Sequence, residues 1–273
     1  MFLAEIGPIG DFPPVRESGF AFDSGLYLKG KALGCYEDAS FQTPKALGVA
    51  DGVSAWRRYG IDSGRFASEL MGNCKKIQLK PNACRHDLAA ELSKAHTKVQ
   101  AYGSSTVLLG FLAHTCLFLS TLGDSRAMIV RWVHEKPVVV FKSGISVHSF
   151  NTPYQLAHIP SNLDQEAFIQ DTSADALYYS LDIETGDLLV LGTDGLWDNI
   201  YDWELIELLG REKQLSSSQR IAEKVGEEAF RNSKAGKAGP FQDAATQAYP
   251  EIQWRGGKVD DITVLAAWAI ALS

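Results

Sequence analysis

The feature that most limits how this chain can fold is a set of short apolar runs, each closed by Gly, Asp or Asn. Runs of this length, punctuated by turn formers, are the signature of buried strands rather than of helices. They fall at 26–33, 46–50, 105–112, 115–122, 126–132, 136–142, 188–193 and 262–269. TVLLGFL and TCLFLSTL, separated by Ala113 and His114, read as a hairpin, and SRAMIVRW extends it into a meander with Gly123 and Asp124 at the turn. Near-continuous apolarity predicts burial on both faces, hence packed sheets covered by helices.

Helical periodicity lies between the strand groups. Asp62 or Ser63 caps a helix through FASELMGNCKKIQ, with Phe66, Leu70 and Met71 on one face. Further helices are predicted at about 86–102, 203–210, 217–231 and 241–248. Segment 143–187 carries turn formers and little periodicity, which predicts a flap or binding loop. Strands, then helices, then strands again place the chain in the α+β class. Both ends supply strands and no linker intervenes, so one domain is expected over 1–273.

Composition excludes several alternatives. With 273 residues, 45% of them apolar, a core forms without staples. A net charge of −7 with no Lys/Arg cluster argues against a nucleic-acid partner. No apolar run reaches the ~18–20 residues of a membrane span. Cys35, Cys74, Cys84 and Cys116 lack zinc-like spacing and read as reduced thiols, which points to an intracellular compartment. The first residues, with Glu5 and Asp11, resemble neither a secretory signal nor an Arg-rich transit peptide.

Acids stand where the strands end. Asp51 and Gly52 close one run, Asp194 and Gly195 close another with Asp198 four residues on, and Asp260 and Asp261 precede the last. Glu37 and Asp38 lie near an early strand, and Asp124 follows TLG. Carboxylates gathered at one point raise one another's pKa unless a cation sits among them. Oxygen donors without His or Cys select Mg²⁺ or Mn²⁺. A glycine after the acid lets the backbone carbonyl approach a metal closely. Taken singly, each Asp-Gly pair reads as a turn, Asp260 and Asp261 as a solvated turn and Asp198 as a helix cap. The ordered set carries the argument.

That set, an ED pair, DG after a strand, GDSR, DGLWD and DDIT, resembles the metal-dependent protein phosphatases of type 2C, in the family order across residues 34–269. GVADGVSAW, FNTPYQL and RGGKVDDITVL are similar to a divergent branch with mitochondrial members. The resemblance implies two packed antiparallel sheets, each flanked by a helix pair, with two and in some relatives three Mn²⁺ or Mg²⁺ ions. By the same resemblance Asp51 bridges two ions, the Gly52 carbonyl binds one, Asp194 and Asp260 hold the other, and Glu37 and Asp38 hold the second. Asp124 and Asp198, with Asp194, match the weaker third site. The implied reaction is hydrolysis of phosphoserine or phosphothreonine in proteins by a hydroxide bridging the metals, with Asp51, Asp194 and Asp260 at its centre. A monomer is expected. The resemblance places it in mitochondria, with the cytoplasm as the alternative.

Two positions depart from the family pattern. Val53 stands where many relatives have a His after the first DG, and Leu33 where many have an Arg that grips phosphate. Lys31, Arg57, Arg58 and Arg255 are the candidate replacements, each also readable as a surface cation. Ser125 lacks the glycine elbow of a nucleophile, and Arg126 reads as the structural partner of a nearby acid. His134, His148 and His158 read as ordinary surface or hydrogen-bonded histidines, and Trp56 and Trp197 as packing behind the acidic loops. Two other functions stay open: a phosphatase-fold binding protein, weak or inactive in catalysis, and a phosphatase of a small metabolite enclosed by 143–187.

Overall fold

The computed structural model describes residues 19–32, 36–77, 85–212 and 216–272; Leu33, Cys35, Cys84 and the first residues lie outside them. The early strands are β1 (Phe20–Lys29), β2 (Asp38–Gln42) and β3 (Ala46–Asp51). After helices α1 (Ser63–Cys74) and α2 (Arg85–His96) come β4 (Gly103–Ser105), β5 (Val107–Ala113), β6 (Cys116–Leu122), β7 (Arg126–Val133) and β8 (Lys136–Lys142). Three short strands follow, β9 (Val147–Ser149), β10 (Thr152–Pro153) and β11 (Leu156–His158). Then come β12 (Leu177–Asp182) and β13 (Leu188–Gly192). Helices α3 (Asp194–Trp197), α4 (Asp202–Arg211), α5 (Ser218–Lys234) and α6 (Pro240–Ala248) lead to β14 (Ile262–Ala271).

Two five-stranded antiparallel sheets form the centre, ordered β1-β14-β13-β7-β8 and β12-β6-β5-β3-β2. Leu47, Val49, Leu108 and Leu119 of one face Ala127, Leu189, Leu191 and Leu265 of the other across a shared apolar layer. α1 and α2 close the outer face of the β3 sheet through Phe66, Leu70, Leu88 and Leu92. α4 and α5 close the β14 sheet through Leu205, Leu209, Ile221 and Val225. This is the α+β class read from the residues, in the sandwich with flanking helix pairs that the resemblance implies, and the double burial of β5 and β13 follows from it. Of the two capping candidates it is Asp62 that caps α1, accepting from the Gly64 N–H at 3.1 Å. Ser63 instead donates to the Val53 carbonyl at 2.8 Å. Among the described residues no helix is long and apolar enough to cross a membrane.

The boundaries differ in instructive ways. β1 begins at Phe20 rather than near 26, because it pairs with β14 over its whole length, from Phe20 opposite Ala271 to Lys29 opposite Ile262. The helix expected to reach 102 stops at His96. β2, DASFQ, has too few apolar residues to stand out, yet it forms a sheet edge by pairing with β3. Segment 143–187 is less irregular than predicted. Its last part is β12, a full edge strand on β6, and β11 pairs with β4.

Trp268 on β14 is almost wholly buried; it packs against Trp132 at 5.1 Å and donates Nε1–H to the Ser216 carbonyl at 2.7 Å. Trp268→Ala is expected to lower unfolding free energy by ~3–5 kcal/mol in urea titration, the usual cost of emptying an aromatic core site.

Candidate metal and active site

The β2–β3 register sets Asp38 directly opposite Asp51. Antiparallel partners lie about 4.5–5.5 Å apart at Cα, and like charges in that relation repel. The other sheet brings two more acids to the same place. β13 runs beside β14, so Asp194 just after β13 and Asp260 just before β14 meet at one end of that sheet. Asp124 sits in the turn that carries the chain from β6 in one sheet to β7 in the other.

Hydrogen bonds lock the two sheet ends together. Asp38 Oδ2 accepts from Thr193 Oγ at 2.9 Å, just after β13, and from Thr263 Oγ at 2.6 Å, on β14 of the opposing sheet. Asp261 accepts from the Lys31 N–H at 2.6 Å and the Glu37 N–H at 2.7 Å, fixing the loop that delivers Glu37. Of the DD pair, then, Asp260 faces the pocket while Asp261 is a buried loop anchor.

The glycines of the two DG pairs owe their place to packing. A Cβ on Gly52 would lie 2.7 Å from the Glu37 carbonyl oxygen and 2.9 Å from the Ser63 backbone. On Gly195 it would lie 2.0 Å from the Asp261 carbonyl oxygen. Each glycine lets one acidic loop press against the backbone beside another acid, a reason beyond the carbonyl access inferred from sequence.

Asp51, Thr106, Asp124, Asp194 and Asp260 line a pocket of about 150 Å³, together with Lys31, Asn151 and Lys258. Burial raises the Asp51 carboxyl well above its ordinary value, reinforced by Asp194, Asp38, Asp260 and Asp124. Burial also pushes Asp38 up to about 8, partly offset by the Thr263 hydrogen bond. Asp124 and Asp198 rise to about 7, through burial and then Asp194. Asp260 goes the other way: burial opposes its charge, but Lys258 and Lys31 hold it below the usual range.

Whether these residues suit a metal is answered by their oxygens. Asp38 Oδ1, Asp124 Oδ1 and Asp194 Oδ1 are buried and accept no hydrogen bond. An orphaned buried carboxylate oxygen is costly, and a hard divalent cation is the partner that an all-oxygen set lacks. Among the described residues no group of His, Cys, Asp and Glu closes into a ready cage, and two lysines are interleaved with the acids. Lys31 Nζ meets Glu37 at 2.9 Å and Asp260 at 2.8 Å. Lys258 Nζ meets Asp194, Asp198 at 3.3 Å and Asp260 at 3.2 Å. The donor set fits Mn²⁺ or Mg²⁺.

Of the candidate replacement cations, Lys31 alone lines this pocket. Arg57 pairs with Glu37 Oε1 at 2.8 Å, and Arg58 and Arg255 are exposed. Leu33 lies outside the described residues. Ser125 is fully buried, sharing a hydrogen bond with Thr106 at 3.1 Å, so it is no nucleophile. Arg126 makes no salt bridge within 4 Å among the described residues and its Nε is buried without a hydrogen-bond partner, yet its charge acts on the neighbouring Asp124 and lowers that carboxyl, the electrostatic part of the pairing expected. His148 stacks on Tyr154 and contacts Asp171 at 3.0 Å, and His158 contacts the Ala101 carbonyl. Trp197 packs as expected; Trp56 also stacks on Phe168 at 4.7 Å, forming one wall of a neighbouring groove. Sequence reading missed Lys258. Its signal was a lysine two residues before Asp260, easily taken for a solvated side chain.

No protein-family model matches the chain. Two protein phosphatase PTC7 homologs, of Xenopus laevis and Homo sapiens, are each 34% identical over 90% of it and over 86% and 83% of their own lengths. The chain belongs to the type 2C protein phosphatases. A plant member, probable protein phosphatase 2C 55 of Arabidopsis thaliana, is 35% identical over 86% of this chain and 48% of its own. The chain thus spans about half the length of some curated family relatives. Among solved family structures, the photosystem II phosphatase PBCP aligns with a TM-score of 0.78 and 29% identity, over 90% of this chain and 98% of that one. The catalytic domain of PstP, solved with two manganese ions, shares the fold at a TM-score of 0.56 and 16% identity, over 92% and 99%.

Raised carboxyl values fix a sign for pH. With Asp38 at about 8 and Asp124 and Asp198 at about 7 in the folded chain, and ~3.9 unfolded, the folded state binds more protons between those limits. Stability without metal is therefore expected to fall as pH rises from about 5 to about 8. Calorimetry in EDTA should record a declining Tm, and Mn²⁺ should raise Tm more at the alkaline end.

Proposed function

We propose that this chain is a protein serine/threonine phosphatase working through two Mn²⁺ or Mg²⁺ ions. The observation that carries the reading is the convergence of Asp38, Asp51, Asp124, Asp194 and Asp260 from both sheets, with buried oxygens left without donors. Asp51 and the Gly52 carbonyl, Asp194 and Asp260, and Glu37 with Asp38 would hold the ions. When bound, such ions activate water as a nucleophile and neutralise charge on phosphoryl oxygens.

The chain's own residues do the rest. Asp38 is fixed by Thr193 and Thr263, so its free oxygen points at a constant position. Lys31, at the pocket wall, takes the part of the missing arginine and faces substrate phosphate as a point charge. Val53 donates no proton, so the leaving oxygen takes one from water.

An apolar groove of about 290 Å³ favours a protein substrate over a small metabolite. It shares Val53, Asn151 and Pro153 with the acidic pocket and continues along Trp56, Tyr59 and Phe168. Segment 143–187 therefore borders an open channel instead of enclosing a small chamber. The retained acids weigh against a binding protein without catalysis.

Hydrolysis of a phosphothreonine peptide by the purified chain with Mn²⁺, Mg²⁺ or EDTA tests the proposal. Turnover is expected with either ion and not with EDTA. Asp51→Asn is expected to abolish it while preserving the circular dichroism spectrum; full activity in that variant would sink the reading. Phe168→Ala is expected to raise KM for the peptide roughly 2–10-fold, the equivalent of one lost aromatic contact, and to leave p-nitrophenyl phosphate unaffected. Equal effects on both substrates would remove the groove from recognition.

A further inference from the structure

We propose that Lys258 is a built-in third cation of the acidic centre, occupying the position where some type 2C phosphatases bind a third metal ion. The inference rests on the two-metal reading above. Its starting point is location: the Lys258 ammonium contacts Asp194 and lies 3.3 Å from Asp198 Oδ2 and 3.2 Å from Asp260 Oδ2. Asp194 and Asp198 are two of the acids that sequence resemblance assigns to a third ion.

The side chain is held there from every direction. Its Nζ also donates to Asn151 Oδ1 at 3.1 Å and lies 5.4 Å from the centre of the Phe241 ring, a cation–π arrangement. The backbone is clamped by Asn199, which is buried. Asn199 Oδ1 accepts from the Lys258 N–H at 3.0 Å, and Asn199 Nδ2 donates to the Lys258 carbonyl at 2.8 Å. Asn199 Nδ2 donates as well to the Gly195 carbonyl at 2.9 Å, joining the lysine's backbone to the DG loop of Asp194. Gly257 completes the clamp, since a Cβ there would lie 2.3 Å from Asn199 Oδ1.

A solvated lysine on a loose loop would have none of these restraints. Its side chain is only 15% exposed, and desolvating an ammonium costs several kcal/mol unless fixed acids compensate it. With its ammonium already seated between Asp194 and Asp198, Lys258 fills the space a third divalent ion would take and repels such an ion from that pair. The lysine thus satisfies Asp198 with a charge that cannot dissociate and caps the centre at two ions.

Titration with MnCl₂, followed by calorimetry and by the electron paramagnetic resonance of free Mn²⁺, tests this directly. The wild type is expected to bind two ions, and Lys258→Met and Lys258→Gln three, with circular dichroism confirming the fold. Lys258→Arg keeps the charge and is expected to remain at two. Three ions in the wild type would overturn the inference. So would two ions in both neutral variants, although the two-metal reading would then survive. If the folded wild type binds none, the two-metal reading itself fails and the inference falls with it.

Discussion

Asp38 faces two neighbours of opposite consequence. Across β2–β3 it stands beside Asp51, which repels it. Across the gap between the sheets Thr193 and Thr263 donate hydrogen bonds to it. The second relation offsets part of the first, because the hydrogen bonds donated by Thr263 and Thr193 stabilise the ionised carboxylate and hold it in one orientation. It also ties the end of one sheet to the end of the other, and that junction is where the remaining acids arrive. Asp261, accepting from the Lys31 and Glu37 N–H groups, adds a second polar tie between the same sheet ends.

The cost of this arrangement is electrostatic, and the fold meets it locally. Lys31 and Lys258 enter the cluster from neighbouring loops, and Asp261 pins the loop that bears Lys31 and Glu37. Backbone is packed so tightly here that Gly52 and Gly195 admit no side chain. The interior, by contrast, is ordinary: leucine, valine and alanine between two sheets, with aromatic side chains beneath the helices. Close backbone packing and charge are concentrated where the chemistry is, and the rest of the sandwich is a support for it.

Much of this was legible in the residue order. Asp51, Asp194 and Asp260 announce themselves because each interrupts an apolar run at a glycine or before a strand. The two sheets are readable because β5, β6, β7 and β13 are buried on both faces and so contain few polar residues. β2 and β12 were not, since edge strands keep polar residues on their open sides and lose the signal of burial. Lys258 escaped for a related reason. Its meaning lies in Asn199, Phe241 and Asn151, which sequence separation hides and only the tertiary fold brings to it.

The chain between β8 and β12 leaves the outermost strand of one sheet and rejoins the outermost strand of the other. On the way it supplies Asn151 and Pro153 to the pocket and Phe168 to the groove. It is therefore a strap fastened to both halves of the sandwich. Any sliding of one sheet over the other pulls its two anchor points in different directions. The width of the channel beside the acids is thus geared to the spacing of the whole molecule, and a ligand wedged into the channel would press on both sheets at once.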